Sequence, residues 1–268
     1  MYRHEGLLIY ESHDDDGILE VIEKDGVRSL HFGSYPRQSS MRLIDPDKLE
    51  LNYVRAMTSW LLFKEKLAEE ALIIGLGGGS LTKHLLYHFP DCSLKVVEYR
   101  KSVVRIARSH FGLPLDPRLK IIIDDGGAYV RQRTATHQQR YSLVIVDAFG
   151  HDSMAESICC EAFFEACRLL LQDDGMLVIN LWGSDRPMFD QVAFWMARVF
   201  NNKTLFVPVQ GKGNVIGLGF KAENPTFQLK DLRTRSIELE AKYHIEFPTF
   251  LRDLGRMKAG FFDNLIKK

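Results

Sequence analysis

The chain has 268 residues, 46% hydrophobic and 26% charged, with 35 Lys+Arg balanced by 35 Asp+Glu. That is enough apolar material for a well-buried core, and the zero formal charge denies the chain the broad cationic surface that nucleic-acid binding relies on. No apolar run approaches the roughly 20 residues of a membrane span, so neither nucleic acid nor a membrane is an expected partner. The opening residues, MYRHEGLLIYESHDDD, turn acidic early and lack the long apolar core of a signal peptide. The four cysteines (Cys92, Cys159, Cys160 and Cys167) have no paired metal-ligand spacing. Reduced thiols, a cytoplasmic location and no metal are the expectations.

In chain order, GILEVIEKDGVRSLHFG carries two short β-prone runs around Asp25-Gly26, a strong hairpin signal. Residues 1–45 therefore read as a small β region, separate from a main domain over residues 46–268. Next, Leu49, Tyr53, Met57, Trp60 and Leu61 recur at helical spacing, with Asp45-Pro46 as a start signal. From Ala71 the pattern changes to short, nearly continuous apolar runs: ALIIGL, SLKVVEY, LKIIIDD, YSLVIVDAF and GMLVINLW. Strands buried on both faces of a parallel sheet read this way. Helical stretches such as 101–111 and 161–171 separate them, which implies an α/β fold with helices on both faces. TLFVPVQ and NVIGLGF form a late antiparallel pair closing one edge, and the tail from Leu229 is helical.

Gly75, Gly77, Gly78 and Gly79 stand between the first of these strands and a helix. Glycine allows a positive φ and close approach of a ligand to backbone, and the helix start presents free N–H groups. Ser80 breaks the dinucleotide pattern G-x-G-x-x-G, and no Lys-Ser/Thr pair makes it a P-loop. Gly75-x-Gly77-x-Gly79 fits instead the turn that holds the nucleoside of S-adenosylmethionine; a purely structural turn is the alternative. Glu98 ends the next strand, 23 residues after Gly75, where a carboxylate can accept from both ribose hydroxyls. Asp124-Asp125-Gly126 ends the third strand. Asp125 is the better candidate for an adenine amino group, although an N-cap explains it as well. Asp147 ends the fourth strand above the middle of the sheet, where it can orient an amine and take its proton. Asp152 follows on a loop with His151, a histidine given little weight. Gln38, Tyr53 and Trp182 are substrate-side candidates, with core packing the competing explanation for Tyr53 and Trp182.

The order of glycine turn, VVEY, DDGGAYV, YSLVIVDAF and EAFFEACRLLLQDDGMLVINLW resembles the spermidine synthase-like branch, the polyamine aminopropyltransferases, of the class I S-adenosylmethionine-dependent transferase superfamily. The resemblance runs over residues 38–220. It implies a Rossmann-like methyltransferase fold behind a small N-terminal β region, a homodimer, and aminopropyl transfer from decarboxylated S-adenosylmethionine to a small-molecule polyamine. By the same resemblance Glu98 is the ribose acid, Asp125-Gly126 the adenine-side pair, and Asp147 the group that positions and deprotonates the amine. Gln38 and Tyr53 match the family's glutamine and tyrosine before the glycine loop. Two motifs depart. The family's loop carries an aspartate for the aminopropyl amine where this chain has Gly78. Its D-S-x-D-P gate is here DAFGHD, with Asp152 displaced; Glu156 would add to an acidic lining. Without the loop acid, methyl transfer from intact S-adenosylmethionine to an amine stands as the alternative, and a non-catalytic binding module of the same fold as a third reading.

Overall fold

A computed structural model describes residues 5–67, 69–149, 155–211, 213–256 and 262–267. Four strands, β1 (Leu7–Asp14), β2 (Gly17–Lys24), β3 (Val27–His31) and β4 (Ser39–Arg42), form an antiparallel sheet in that order. The β2–β3 turn is made by Asp25 and Gly26, at φ 51° and 74°. Two successive positive φ values let a two-residue loop follow the strand twist, which is why Asp-Gly reads as a hairpin.

The next element is shorter and later than its periodicity predicts. Helix α1 spans Asn52–Ala56, not from Asp45-Pro46, and tightens into a 3-10 segment over Met57–Leu62. All six residues of that segment are buried. A tighter helix brings i and i+3 into line, and here core burial overrides the wider α-helical stripe.

Seven strands follow: β5 (Glu69–Ile74), β6 (Cys92–Glu98), β7 (Leu119–Ile123), β8 (Tyr141–Val146), β9 (Leu171–Trp182), β10 (Thr204–Pro208) and β11 (Asn214–Phe220). They form one sheet in the order β10-β11-β9-β8-β5-β6-β7. Strands β5 to β9 run parallel; β11 runs antiparallel to both β9 and β10. The helices between them are α2 (Ser80–His88), α3 (Lys101–His110), α4 (Gly126–Arg133), α5 (Glu161–Leu170) and α6 (Arg186–Val199), and α7 (Leu229–Tyr243) and α8 (Phe247–Leu254) lie in the tail. Every residue of β8 is buried, as an unbroken apolar run at the sheet centre requires. Two apolar cores, one on each face, hold the layers together. Among the described residues no helix is long and apolar enough to cross a membrane.

The chain runs from β5 outward to β7 in one direction and from β8 outward in the other. The order therefore reverses between β5 and β8, and the crevice at their carboxyl ends is where such sheets bind ligands. The N-terminal sheet is tied beside that crevice. Arg100, just past β6, donates to Asp14 at 2.5 and 3.2 Å and to the Gly17 carbonyl at 2.9 Å, with its guanidinium over the Phe32 ring. Lys83, buried on α2, donates to the carbonyls of Pro46 and Phe111 at 2.7 and 2.9 Å.

Helix α2 also buries His84, whose ring lies 4.4 Å from that of His88 and 5.9 Å from that of Tyr243. Its Nε2 meets no hydrogen-bond partner among the described residues. Burial, then the neighbouring His88, depresses its pKa to about 3. Since the unfolded chain takes up this proton near pH 6.5, the neutral ring stabilises the fold fully above that value. The contribution declines as pH falls toward 3. Between pH 7.5 and pH 5 the expected loss is about 2 kcal/mol. Urea titrations of wild type and His84→Leu at both pH values should show the variant lacking that increment; equal pH dependence would mean His84 is protonated in the fold.

Candidate functional site

A cavity of about 1430 Å³ opens over the crevice. Its walls come from the N-terminal sheet, α1 and the carboxyl ends of β5, β6, β8 and β9. That exceeds the usual 300–1,000 Å³ of a single-ligand pocket.

The glycine turn forms one wall. Gly75, Gly77 and Gly79 have φ of 94°, 54° and 77°, a region that side chains with a Cβ avoid. A Cβ on Gly75 would also overlap the carbonyl oxygen of Asp147, so β5 and β8 meet here only through glycine. Gly75 and Gly77 line the cavity. Gly79 lies behind them, starting α2 with its α-carbon packed toward Leu113. Gly78 also turns inward: a Cβ there would come within 2.6 Å of Ser39 Oγ and 2.8 Å of Phe111 Cδ1. The space where an aspartate side chain would begin is thus filled by serine and phenylalanine.

Glu98 stands at the end of β6, nearly fully buried. One oxygen accepts from the Leu76 N–H at 2.9 Å and the other from the Arg100 N–H at 2.8 Å. Burial raises its pKa, and these N–H bonds together with the Arg100 charge work against the rise. Each oxygen has a second lone pair, so the carboxylate that pins the turn keeps the capacity to accept from a diol.

Asp125 is the N-cap of α4, one of the two roles the sequence left open. Oδ1 caps α4 by accepting from Ala128 N–H at 2.7 Å, and Oδ2 accepts from the Ser157 hydroxyl at 2.7 Å. Asp125 and Gly126 line the cavity. Asp124 does not; its Oδ1 accepts from the Asp125 N–H at 2.9 Å and so holds its neighbour's backbone.

Asp147 lies at the cavity floor where β8 ends. The ladder continues one step past the strands, with Asp147 N–H donating to Ile74 O and Gly75 N–H to Val97 O, each at 2.8 Å. Its Oδ1 accepts from Asn180 Nδ2 at 2.9 Å. Asn180 Oδ1 in turn accepts from Asn214 Nδ2 at 3.0 Å. The Tyr53 hydroxyl sits between the Asp147 carboxylate and the Gln38 carbonyl oxygen, 3.3 Å from the latter. Burial lifts the Asp147 pKa to about 6, against the pull of the Asn180 and Tyr53 hydrogen bonds. Burial and the Asp147 charge raise Tyr53 well above its ordinary value, so it is a neutral donor. Gln38, Tyr53 and Trp182 all line the cavity, with Tyr53 also packed on the main core. Glu156 lines it too, whereas His151 and Asp152 lie outside the described residues.

Asn180, Asn214 and Ser157 escape a reading of sequence alone. Asn180 is the lone polar residue of MLVINLW within β9, a buried amide in an apolar run. Such a group must find partners, and that was the available signal. Asn214 opens the next apolar run, and Ser157 carries no signal.

Strand order, switch-point crevice and glycine turn define a class I S-adenosylmethionine-type fold. Comparison with known proteins narrows this. The model of the spermine/spermidine synthase domain matches residues 50–201. A polyamine aminopropyltransferase of Neisseria meningitidis is 32% identical over 87% of this chain and 88% of its own. One of Chromobacterium violaceum is 32% identical over 88% of each. The chain belongs to the spermine/spermidine synthase family and is a transferase. Among solved structures, a probable spermidine synthase of Corynebacterium glutamicum superposes with TM-score 0.73 at 19% identity, covering 89% of this chain and 88% of its own. The spermidine synthase of Thermotoga maritima gives 0.68 at 20%, covering 93% and 88%. At these identities the two structures speak for the fold, and they match both sheets in kind.

Proposed function

We propose that the protein transfers an aminopropyl group from decarboxylated S-adenosylmethionine to a primary amine of a small polyamine. The observation carrying this reading is Asp147, a carboxylate of raised pKa held by Tyr53 and Asn180 beside the glycine turn, in a chain of this family. In the reading, Gly75, Gly77 and Glu98 hold the nucleoside, with Asp125 at the adenine edge. The amine enters near Gln38 and Tyr53 as an ammonium ion; Asp147 pairs with it and draws off a proton, leaving a nitrogen lone pair. That pair attacks the methylene carbon on the sulfonium, the C–S bond breaks toward sulfur, and methylthioadenosine leaves. Alignment of nitrogen, carbon and sulfur is the main catalytic demand of such a displacement. Asp152 and Glu156 would add negative charge on the amine side, and the homodimer expected of the family belongs to the same proposal.

The inward-facing Gly78 favours a second reading. A loop without an acid presents only N–H groups and hydroxyls, a better match for the carboxylate of intact S-adenosylmethionine than for a bare ammonium. Thermal melting with the two donors and methylthioadenosine separates the cases. A ligand at 100 times its dissociation constant adds about 2.7 kcal/mol, roughly 5 to 10 °C for a chain of this size. The larger shift is expected with the decarboxylated donor. A larger shift with the intact donor would replace aminopropyl by methyl transfer, and no shift with any of the three would leave a binding module without this ligand.

A further inference from the structure

Behind Asp147 the cavity wall contains two buried amides in strands that are otherwise apolar. Asn180 is 2% exposed and Asn214 9%, on neighbouring strands β9 and β11. Neither is needed to build the sheet, because both strands make their backbone ladder without side chains. Each buried amide must be satisfied, yet an apolar residue would avoid the requirement altogether.

Their chemistry has a direction. An ionised carboxylate only accepts, so Asn180 must turn its NH2 toward Asp147. That leaves the Asn180 carbonyl pointing away, buried, and in need of a donor. Asn214 supplies it, at 3.0 Å. Without Asn214 the Asn180 amide loses the bond that penalises rotation, and a rotated amide would set oxygen against oxygen at Asp147. The other side of the carboxylate meets Tyr53 from α1, the titratable side chain hydrogen-bonded to it among the described residues, and the side-chain-free Gly75 turn of β5.

We propose that Asn214 is a positioning residue that acts through Asn180, locking the amide that holds Asp147 ionised. The inference rests on the reading of Asp147 as the base. Two neutral donors in series keep the carboxylate charged at a lower pH than its burial alone would permit, and they engage only its Oδ1.

The experiment follows kcat/KM against pH for Asn214→Leu, Asn180→Leu and the double variant, with Asn214→Ser, too short to bridge, run in parallel to guard against misfolding. Loss of a donor should move the acid limb upward by about one pH unit, close to a tenfold drop on the limb. At pH 8.5 the two Asn214 variants should lose less rate than they do on the limb, since there the carboxylate is ionised with or without the relay. The double variant should shift no further than Asn180→Leu, because Asn214 works only through that residue. Methylthioadenosine affinity, read by calorimetry, should be unchanged in all four. An unmoved limb in both Asn214 variants, or a rate loss equal at every pH, overturns the proposal. Asp147→Asn separates the two levels: if inactive while the limb of the Asn214 variants stays put, only the relay falls; if it keeps its rate, the base reading falls and the relay with it.

Discussion

Asp147→Asn is expected to abolish turnover, by at least about a thousandfold, and at the same time to stabilise the fold. General-base removal accounts for roughly 10²–10⁴ in rate, and here the same group also pairs with the ammonium ion. The stability gain follows from the raised pKa. A carboxyl with pKa about 6 in the fold and about 4 unfolded contributes stability that is complete below pH 4 and lost as pH rises through 6. At pH 8 the charged form therefore costs up to about 3 kcal/mol, which a neutral amide of the same shape avoids. Asn180 can still donate to it. Melting at pH 8 should show Asp147→Asn several degrees above wild type, with the gap closing toward pH 4, and methylthioadenosine should bind both proteins alike. For wild type, kcat/KM should climb through a midpoint near 6. A variant that keeps its rate would show that Asp147 is not the base, and one that melts lower at pH 8 that it is not a strained charge.

Glu98→Ala should weaken donor binding by at least about a hundredfold. A diol held by two charge-assisted hydrogen bonds loses roughly 1.5–3 kcal/mol for each, at least about 3 kcal/mol together, and about 2.7 kcal/mol is already a factor of 100. The geometry adds a second loss. Leu76 N–H and Arg100 N–H both donate to this carboxylate, so alanine leaves two buried donors without their acceptor and loosens the turn it is meant to serve. Glu98→Gln separates the two effects: its amide oxygen can still take one N–H, so stability should recover more than affinity does. Titration calorimetry with methylthioadenosine, beside urea unfolding, reads both. Unchanged affinity in Glu98→Ala would place the nucleoside elsewhere in the cavity.

Trp182 and the Gly78 loop show how far composition of a motif can mislead about direction. Gly78 sits in a glycine-rich turn, and glycines there suggest close approach to a ligand. In the fold its α-carbon faces Ser39 and Phe111 instead, because β4 and the residue after α3 pack against the turn at this point. Gly79 likewise serves the start of α2. Trp182, by contrast, is 41% exposed and faces the cavity, against the core packing that its size would favour.

The fold class and strand sequence were legible because both are written in short-range patterns. An unbroken apolar run such as YSLVIV has one comfortable place, the centre of a parallel sheet. Asp25-Gly26 has one comfortable turn, and a glycine turn followed 23 residues later by Glu98 has the spacing of one β-α-β unit. Residues that close strands, Glu98, Asp125 and Asp147, could be read as cavity-facing for the same reason: a parallel sheet collects its carboxyl ends at one edge. Periodicity alone could not place the start of α1, since burial of Met57–Leu62 selected a tighter helix over the stripe it imitates. Nor could it find the partners of Asp147. Asn180 and Asn214 lie 33 and 67 residues away in sequence, on strands whose adjacency exists only because β11 inserts antiparallel beside β9. Hydrogen bonds act over about 3 Å and carry no signature along the chain. What each residue is able to do was settled by its chemistry in the sequence; whether it faces ligand, backbone or another side chain was decided only when the sheet brought distant strands together.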